Sequence, residues 1–100
     1  MYNFINRLTV TDDTVEFERA IGNVIEHMVR QPGFHSYQLY RSTDDSRIYV
    51  ETAVWADAAA HRAAMAEEGL RNAVGKVLGL AKAEAGSFEL VQTVGAVTAS

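Results

Sequence analysis

Three side chains around one corner of the chain have the types and spacing to do acid–base chemistry. Trp55, the only tryptophan, closes a strand-like run, with Glu51 four residues before it and His61 six after it. Residues an even number apart share a strand face, so Glu51 and Trp55 look the same way. Asp57 is placed to cap a helix after the corner, and His61 then stands about one and a half turns into it, where it could lean over that face. An unperturbed imidazole ionises near pH 6.5 (about), so His61 needs little tuning to act as a base near neutrality. Glu51, taken out of water, is either a rival base or a partner that orients His61. The bland readings stand beside these: an exposed strand edge for Glu51, a solvated helix for His61, and a core plug for Trp55.

Asn6 is a further candidate. An extended segment from Tyr2 to Val10 puts Tyr2, Phe4, Asn6, Leu8 and Val10 on one side, so an amide interrupts the more apolar face. Burying it costs about 1–3 kcal/mol unless it is hydrogen-bonded. It is either an edge-of-core Asn satisfied by backbone or water, or a donor facing a ligand.

The elements that must position these residues follow from turn and cap chemistry. Gln31-Pro32-Gly33-Phe34 joins a helix to a strand, with proline fixing φ at the first corner and glycine supplying positive φ at the second. Residues 34–41 and 47–55 read as a β-hairpin around the polar cluster 42–46. Asp13, with Glu16 three residues on, fits a capping box ahead of Phe17, Ala20, Ile21, Val24, Ile25 and Met28 at helical spacing. His27, beside them near the helix end, reads as a surface or boundary residue. Residues 56–68 are strong helix formers, Gly69 is expected to break or kink that helix, and 70–80 continues it. Gly75 and Gly79, four apart, would let a neighbour approach closely. Residues 87–94 alternate as a last strand.

Strand, helix, strand, strand, helix, strand is the ferredoxin-like βαββαβ order, an α+β fold with an antiparallel sheet and helices on one face. Both hairpin faces carry apolar residues, which a second subunit against the open face would explain.

One hundred residues make one domain, expected over 1–94, with a weakly polar tail at 95–100. The net charge of −4 and the lack of a basic stripe argue against nucleic acid. There is no cysteine, hence no disulfide or thiolate metal site. No apolar run has the length of a signal peptide or membrane span, so no membrane partner and a cytoplasmic location are expected.

With these residues in view, the chain resembles the antibiotic biosynthesis monooxygenase (ABM) domain, a dimeric ferredoxin-like α+β barrel. The resemblance rests on Asn6-Arg7-Leu8-Thr9-Val10, on Pro32-Gly33-Phe34 leading into Tyr37-Gln38-Leu39-Tyr40-Arg41, and on Val54-Trp55 before an alanine-rich helix. One branch of that family oxidises anthrone- or quinol-type aromatics with dioxygen, using neither metal nor flavin. It places an Asn four before the strand-ending Trp, a Tyr six after it and an Arg later; here those positions hold Glu51, His61 and Arg71. The resemblance thus implies a homodimeric, cofactor-independent monooxygenase in which His61 or Glu51 is the base, Asn6 and Arg71 bind substrate oxygens, and Trp55 stacks on the aromatic. A second branch binds and degrades haem. Asn6 matches its first-strand Asn, but its Trp and axial His fall near Ala64 and Val74, leaving His61 as the remaining iron ligand. A non-catalytic ligand-binding module on the same fold is the third reading.

Overall fold

The computed structural model describes residues 1–97, in which seven elements follow one another: β1 (Tyr2–Val10), α1 (Thr14–Met28), β2 (Phe34–Arg41), β3 (Ile48–Trp55), α2 (Ala58–Ala66), α3 (Glu68–Leu78) and β4 (Ala81–Phe88). The strands form one antiparallel sheet in the order β2-β3-β1-β4. This is the expected ferredoxin-like α+β arrangement, with the second helical region divided in two.

β1 and β3 lie side by side, and their registered pairs Tyr2↔Trp55, Phe4↔Ala53, Asn6↔Glu51 and Leu8↔Tyr49 all belong to the face beneath the helices. Leu8, Phe17, Trp55 and Leu70 are fully buried there. α1 contributes Phe17, Ala20, Ile21, Val24 and Met28, one apolar stripe at helical spacing. In β2 a bulge between Phe34 and Ser36 shifts the alternation, so that Phe34 shares its partly buried face with Tyr37 and Leu39 instead of Ser36 and Gln38.

Caps hold as expected where a single side chain decides them. Asp13 accepts from the Val15 amide at 2.9 Å and Asp57 from the Ala60 amide at 2.8 Å. The capping box does not close, because Glu16 pairs with Arg19 at 2.6 Å and the Asp13 amide donates to Asp12.

The helix break falls at Glu67, not at Gly69. Glu67 is extended (ψ 131°), and its carboxylate accepts from the Gly69 and Leu70 amides at 3.0 and 2.7 Å, so a new N-cap ends α2 and starts α3. Gly69 instead makes room for His27, a half-buried boundary residue: a Cβ there would lie 2.9 Å from its imidazole. Gly75 and Gly79 admit no neighbouring element.

The last strand is Ala81–Phe88, six residues earlier than expected at its start. Ala81-Lys82-Ala83-Glu84-Ala85 is rich in helix formers, yet eight registered pairs with β1 draw it into the sheet. Residues 89–97 pair with nothing in the sheet, leaving Leu90 and Val91 exposed. Of the expected tail, residues 98–100 lie outside the described residues.

The turn into β2 is built as the sequence requires. Gly33 has φ 85°, the Phe34 amide donates to the Gln31 carbonyl at 3.2 Å, and the Ala56 amide donates to the Gly33 carbonyl at 2.8 Å. A Cβ at Gly33 would lie 2.6 Å from the Ala60 methyl on α2. Gly33→Ala therefore combines an unfavourable φ with a clash, and should lower stability by about 1–3 kcal/mol. Adding Ala60→Gly should recover the steric part only. Urea-unfolding midpoints of the two variants check this, and a Gly33→Ala midpoint equal to that of the unmodified chain refutes it.

Candidate functional site

Where β3 gives way to α2, the strand face carrying Glu51, Ala53 and Trp55 meets the first turns of the helix. Asp57 starts α2 two residues after Trp55, which brings His61 back over the sheet. The imidazole stacks on Tyr2 and Phe4 of β1, with ring centroids at 5.1 and 5.0 Å, and meets the Trp55 indole edge-on at 5.6 Å. Phe34 closes the other side of the indole at 5.5 Å. Trp55 thus both plugs the core and borders a hollow.

That hollow has a volume of about 40 Å³ and is lined by Glu51, Trp55, His61 and Tyr37, with Phe4, Ala53, Val24, Met28 and Met65 as its apolar wall. It holds no more than a few water-sized molecules, so a ring system enters only when the wall moves. Two parts of the wall are able to give way. Met28 and Met65 are unbranched and adaptable, and α2 buries only Ala64.

Glu51, with 9% of its surface exposed, is tied at both oxygens. The Asn6 amide donates to one at 2.9 Å and the Tyr37 hydroxyl to the other at 2.6 Å. Two corrections to the sequence reading follow. Glu51 does not orient His61, because its recorded partners are Asn6 and Tyr37. Asn6 is not among the side chains that line the hollow: its amide donates to Glu51, and its carbonyl oxygen is buried without a partner. The Trp55 indole nitrogen is buried and unpartnered too.

Arg71 does not join the cluster. α3 turns Leu70, Ala73 and Val77 inward, and Arg71, about 100° round the helix from Leu70, is exposed and away from the hollow. Tyr37 is the member that sequence reasoning passed over. Leu39 pairs with Glu51, which makes Tyr37 its diagonal neighbour on the same face. The signal was the hairpin register, which puts Tyr37 and Leu39 on the face that carries Glu51.

Burial pushes the His61 imidazole below its ordinary ionisation range, keeping it neutral near physiological pH. The Tyr37 phenol is pushed up, first by burial, then by the Glu51 charge and the hydrogen bond to it, so it stays protonated. A neutral imidazole and a fixed carboxylate therefore border one small, mostly apolar space.

The ABM model matches residues 1–76, three quarters of the chain and all four side chains around the hollow. This chain belongs to the antibiotic biosynthesis monooxygenase family. Deoxynogalonate monooxygenase of Streptomyces nogalater is 36% identical over 91 residues, covering 91% of this chain and 77% of that protein. The crystal structure of SnoaB, described as a cofactor-independent oxygenase from the same organism, superimposes with a TM-score of 0.89 at 35% identity, over 93% of this chain and 95% of SnoaB. An antibiotic biosynthesis monooxygenase structure from Nitrosomonas europaea shares the fold, with a TM-score of 0.80 at 20% identity over 92% of this chain and all of that one. Together with membership, the two relatives at 35–36% identity support a monooxygenase, an oxidoreductase of secondary metabolism. The haem reading finds no support: its ligand positions are a buried Ala64 and a half-buried Val74, and His61 lies flat against aromatic rings. Among the described residues, no helix is long and apolar enough to cross a membrane.

The His61 shift has a stability consequence. The unfolded chain takes up this proton near pH 6.5 (about), whereas the folded chain does so only at lower pH. Stability should therefore rise with pH between the two midpoints and be lost on acidification. NMR titration of the imidazole should give a midpoint below 6.5 (the ordinary value, about), and His61→Leu should flatten this limb of the stability profile. A midpoint at or above that value would contradict the burial argument.

Proposed function

We propose that this ABM protein oxidises an anthrone- or quinol-type aromatic with dioxygen, without metal, flavin or haem, as a cytoplasmic homodimer. The observation that carries the reading is the neutral, desolvated His61 beside Trp55 at a hollow walled by apolar side chains. The relative described as a cofactor-independent oxygenase supports the lack of a cofactor.

Direct reaction of a closed-shell aromatic with triplet dioxygen is spin-forbidden. Deprotonation removes the obstacle by making an electron-rich anion that can pass on one electron. His61 takes the proton from the activated ring position. The anion reduces dioxygen to superoxide, and the two radicals combine as a peroxide, which accepts a proton. Loss of water from that hydroperoxide turns an anthrone methylene into a carbonyl, with one oxygen atom in the product and one in water. The unpartnered Trp55 N–H is a donor for a substrate or peroxide oxygen. The apolar wall keeps out the water that would quench the anion.

Homodimerisation is supported by the open side of the sheet. Ile5, Val54, Phe88 and Leu90 line a groove of about 340 Å³ there, apolar surface that a second copy would cover. Light scattering should give twice the 11.0 kDa chain mass, and Val54→Lys should shift it towards the monomer; a monomeric unmodified chain would refute the pairing.

Oxygen uptake with an anthrone and a dihydroquinone, in the presence of chelator, tests the activity. One dioxygen should be consumed per anthrone. His61→Ala should lower kcat by about 100-fold or more with KM little changed. An unchanged rate would move the base elsewhere, and a panel with no turnover above background would leave a ligand-binding module.

A further inference from the structure

An aromatic ring is larger than the hollow, so part of the wall has to give. A single benzene fills a cavity of roughly 150 Å³ in a protein interior, against about 40 Å³ here. A side chain that yields needs somewhere to go, because interiors are packed like crystals and overfilling them is costly. Val24, Met28 and Trp55 are buried, so displacing any of them overfills the core. Four lining residues also reach solvent: Phe4, Tyr37, His61 and Met65. Phe4 and His61 stack on each other, and Tyr37 is held by Glu51 at 2.6 Å. Among the described residues, Met65 alone of the four is tied by neither a hydrogen bond nor a ring stack. It stands four residues, about one turn, after His61 on the face of α2 that meets the hollow. Its helix neighbours Ala63, Ala64 and Ala66 carry only methyl groups, which leaves its three rotatable bonds unhindered along α2.

We propose that Met65 is the gate of the hollow and the residue that sets how many fused rings it admits. This deepens the proposed oxidation and rests on it for the aromatic class of the ligand. Met65 swings from the hollow towards solvent, and a flat ring system takes the vacated place with one edge at His61 and Trp55. The strand floor, with Glu51 and Tyr37, stays as it is. Each further ring needs the methionine turned further out, so the reach of this one side chain limits ring number. An isoleucine, β-branched and held in one χ1 well on a helix, cannot follow that movement. An alanine leaves the gate open.

The test uses 9,10-anthraquinone and 1,4-naphthoquinone, which differ by one fused ring and are already oxidised, so that binding is read without turnover. Stopped-flow quenching of Trp55, the only tryptophan, follows the association of each. Met65→Ala should speed association of the three-ring quinone by about 10-fold or more, and Met65→Ile should slow it by a similar factor. The two-ring quinone should respond less in both variants, so the ratio of the two rates moves in opposite directions. Should Met65→Ile not fold, Met65→Ala decides alone. Rates that stay those of the unmodified chain while urea-unfolding midpoints fall make Met65 a piece of wall and overturn the gate. Equal changes for the two quinones overturn its part in ring number, and no binding of either by the unmodified chain overturns the whole proposal. Oxygen uptake with an anthrone is scored separately: rates that follow the residue at position 65 without turnover remove the oxidation and leave the gate, and turnover with rates indifferent to that residue does the reverse.

Discussion

A carboxylate under a layer of helices must find hydrogen-bond donors within the protein, and that requirement ties the sheet to the site. Glu51 meets it with one donor from each neighbouring strand, Asn6 of β1 and Tyr37 of β2. Three of the four strands, β2, β3 and β1, are thereby held in one register, because a slip of one residue would turn the amide or the phenol to the other face and leave the carboxylate without that donor. The same register sets Tyr2 and Phe4 beside Trp55, where they form the shelf on which His61 rests. Satisfying the buried carboxylate and placing the candidate base are thus consequences of one strand pairing.

Above this rigid floor the roof is light. α2 is short, alanine-rich and anchored by one buried residue, while Glu67 caps the helix that follows it. Gly33 lets the turn from α1 into β2 approach Ala60 closely enough that no side chain fits between them. A firm sheet under a sparsely anchored helix suits a hollow that is nearly closed when empty and, on the proposed function, opens to a flat ring. The strands carry the polar groups that need fixed geometry, and the helix carries the imidazole and a methionine that can shift with the ligand.

Much of this was legible in the residues. The Pro-Gly turn, the two aspartate caps, the α1 stripe and the shared face of Glu51 and Trp55 each depend on a few neighbouring residues, and each is present. The last strand was misplaced because residues 87–94 alternate as a strand does, whereas Ala81–Phe88 is drawn into the sheet by its pairing with β1, far away in the chain. Arg71 failed because spacing along the chain does not say which side of a helix faces the sheet, and Leu70 takes the inward place.

Local chemistry, then, determined the element types, the order of the fold and the candidacy of Glu51, Trp55, His61 and Asn6, since turns, caps and periodicity act over a few residues. Tertiary structure alone decided which of them meet, that Tyr37 joins them, and that Asn6 donates to Glu51 while its carbonyl is buried without a partner. Those outcomes depend on cross-strand register and on which side of a helix is buried. Both are settled by contacts between residues far apart in the chain, which no local pattern records.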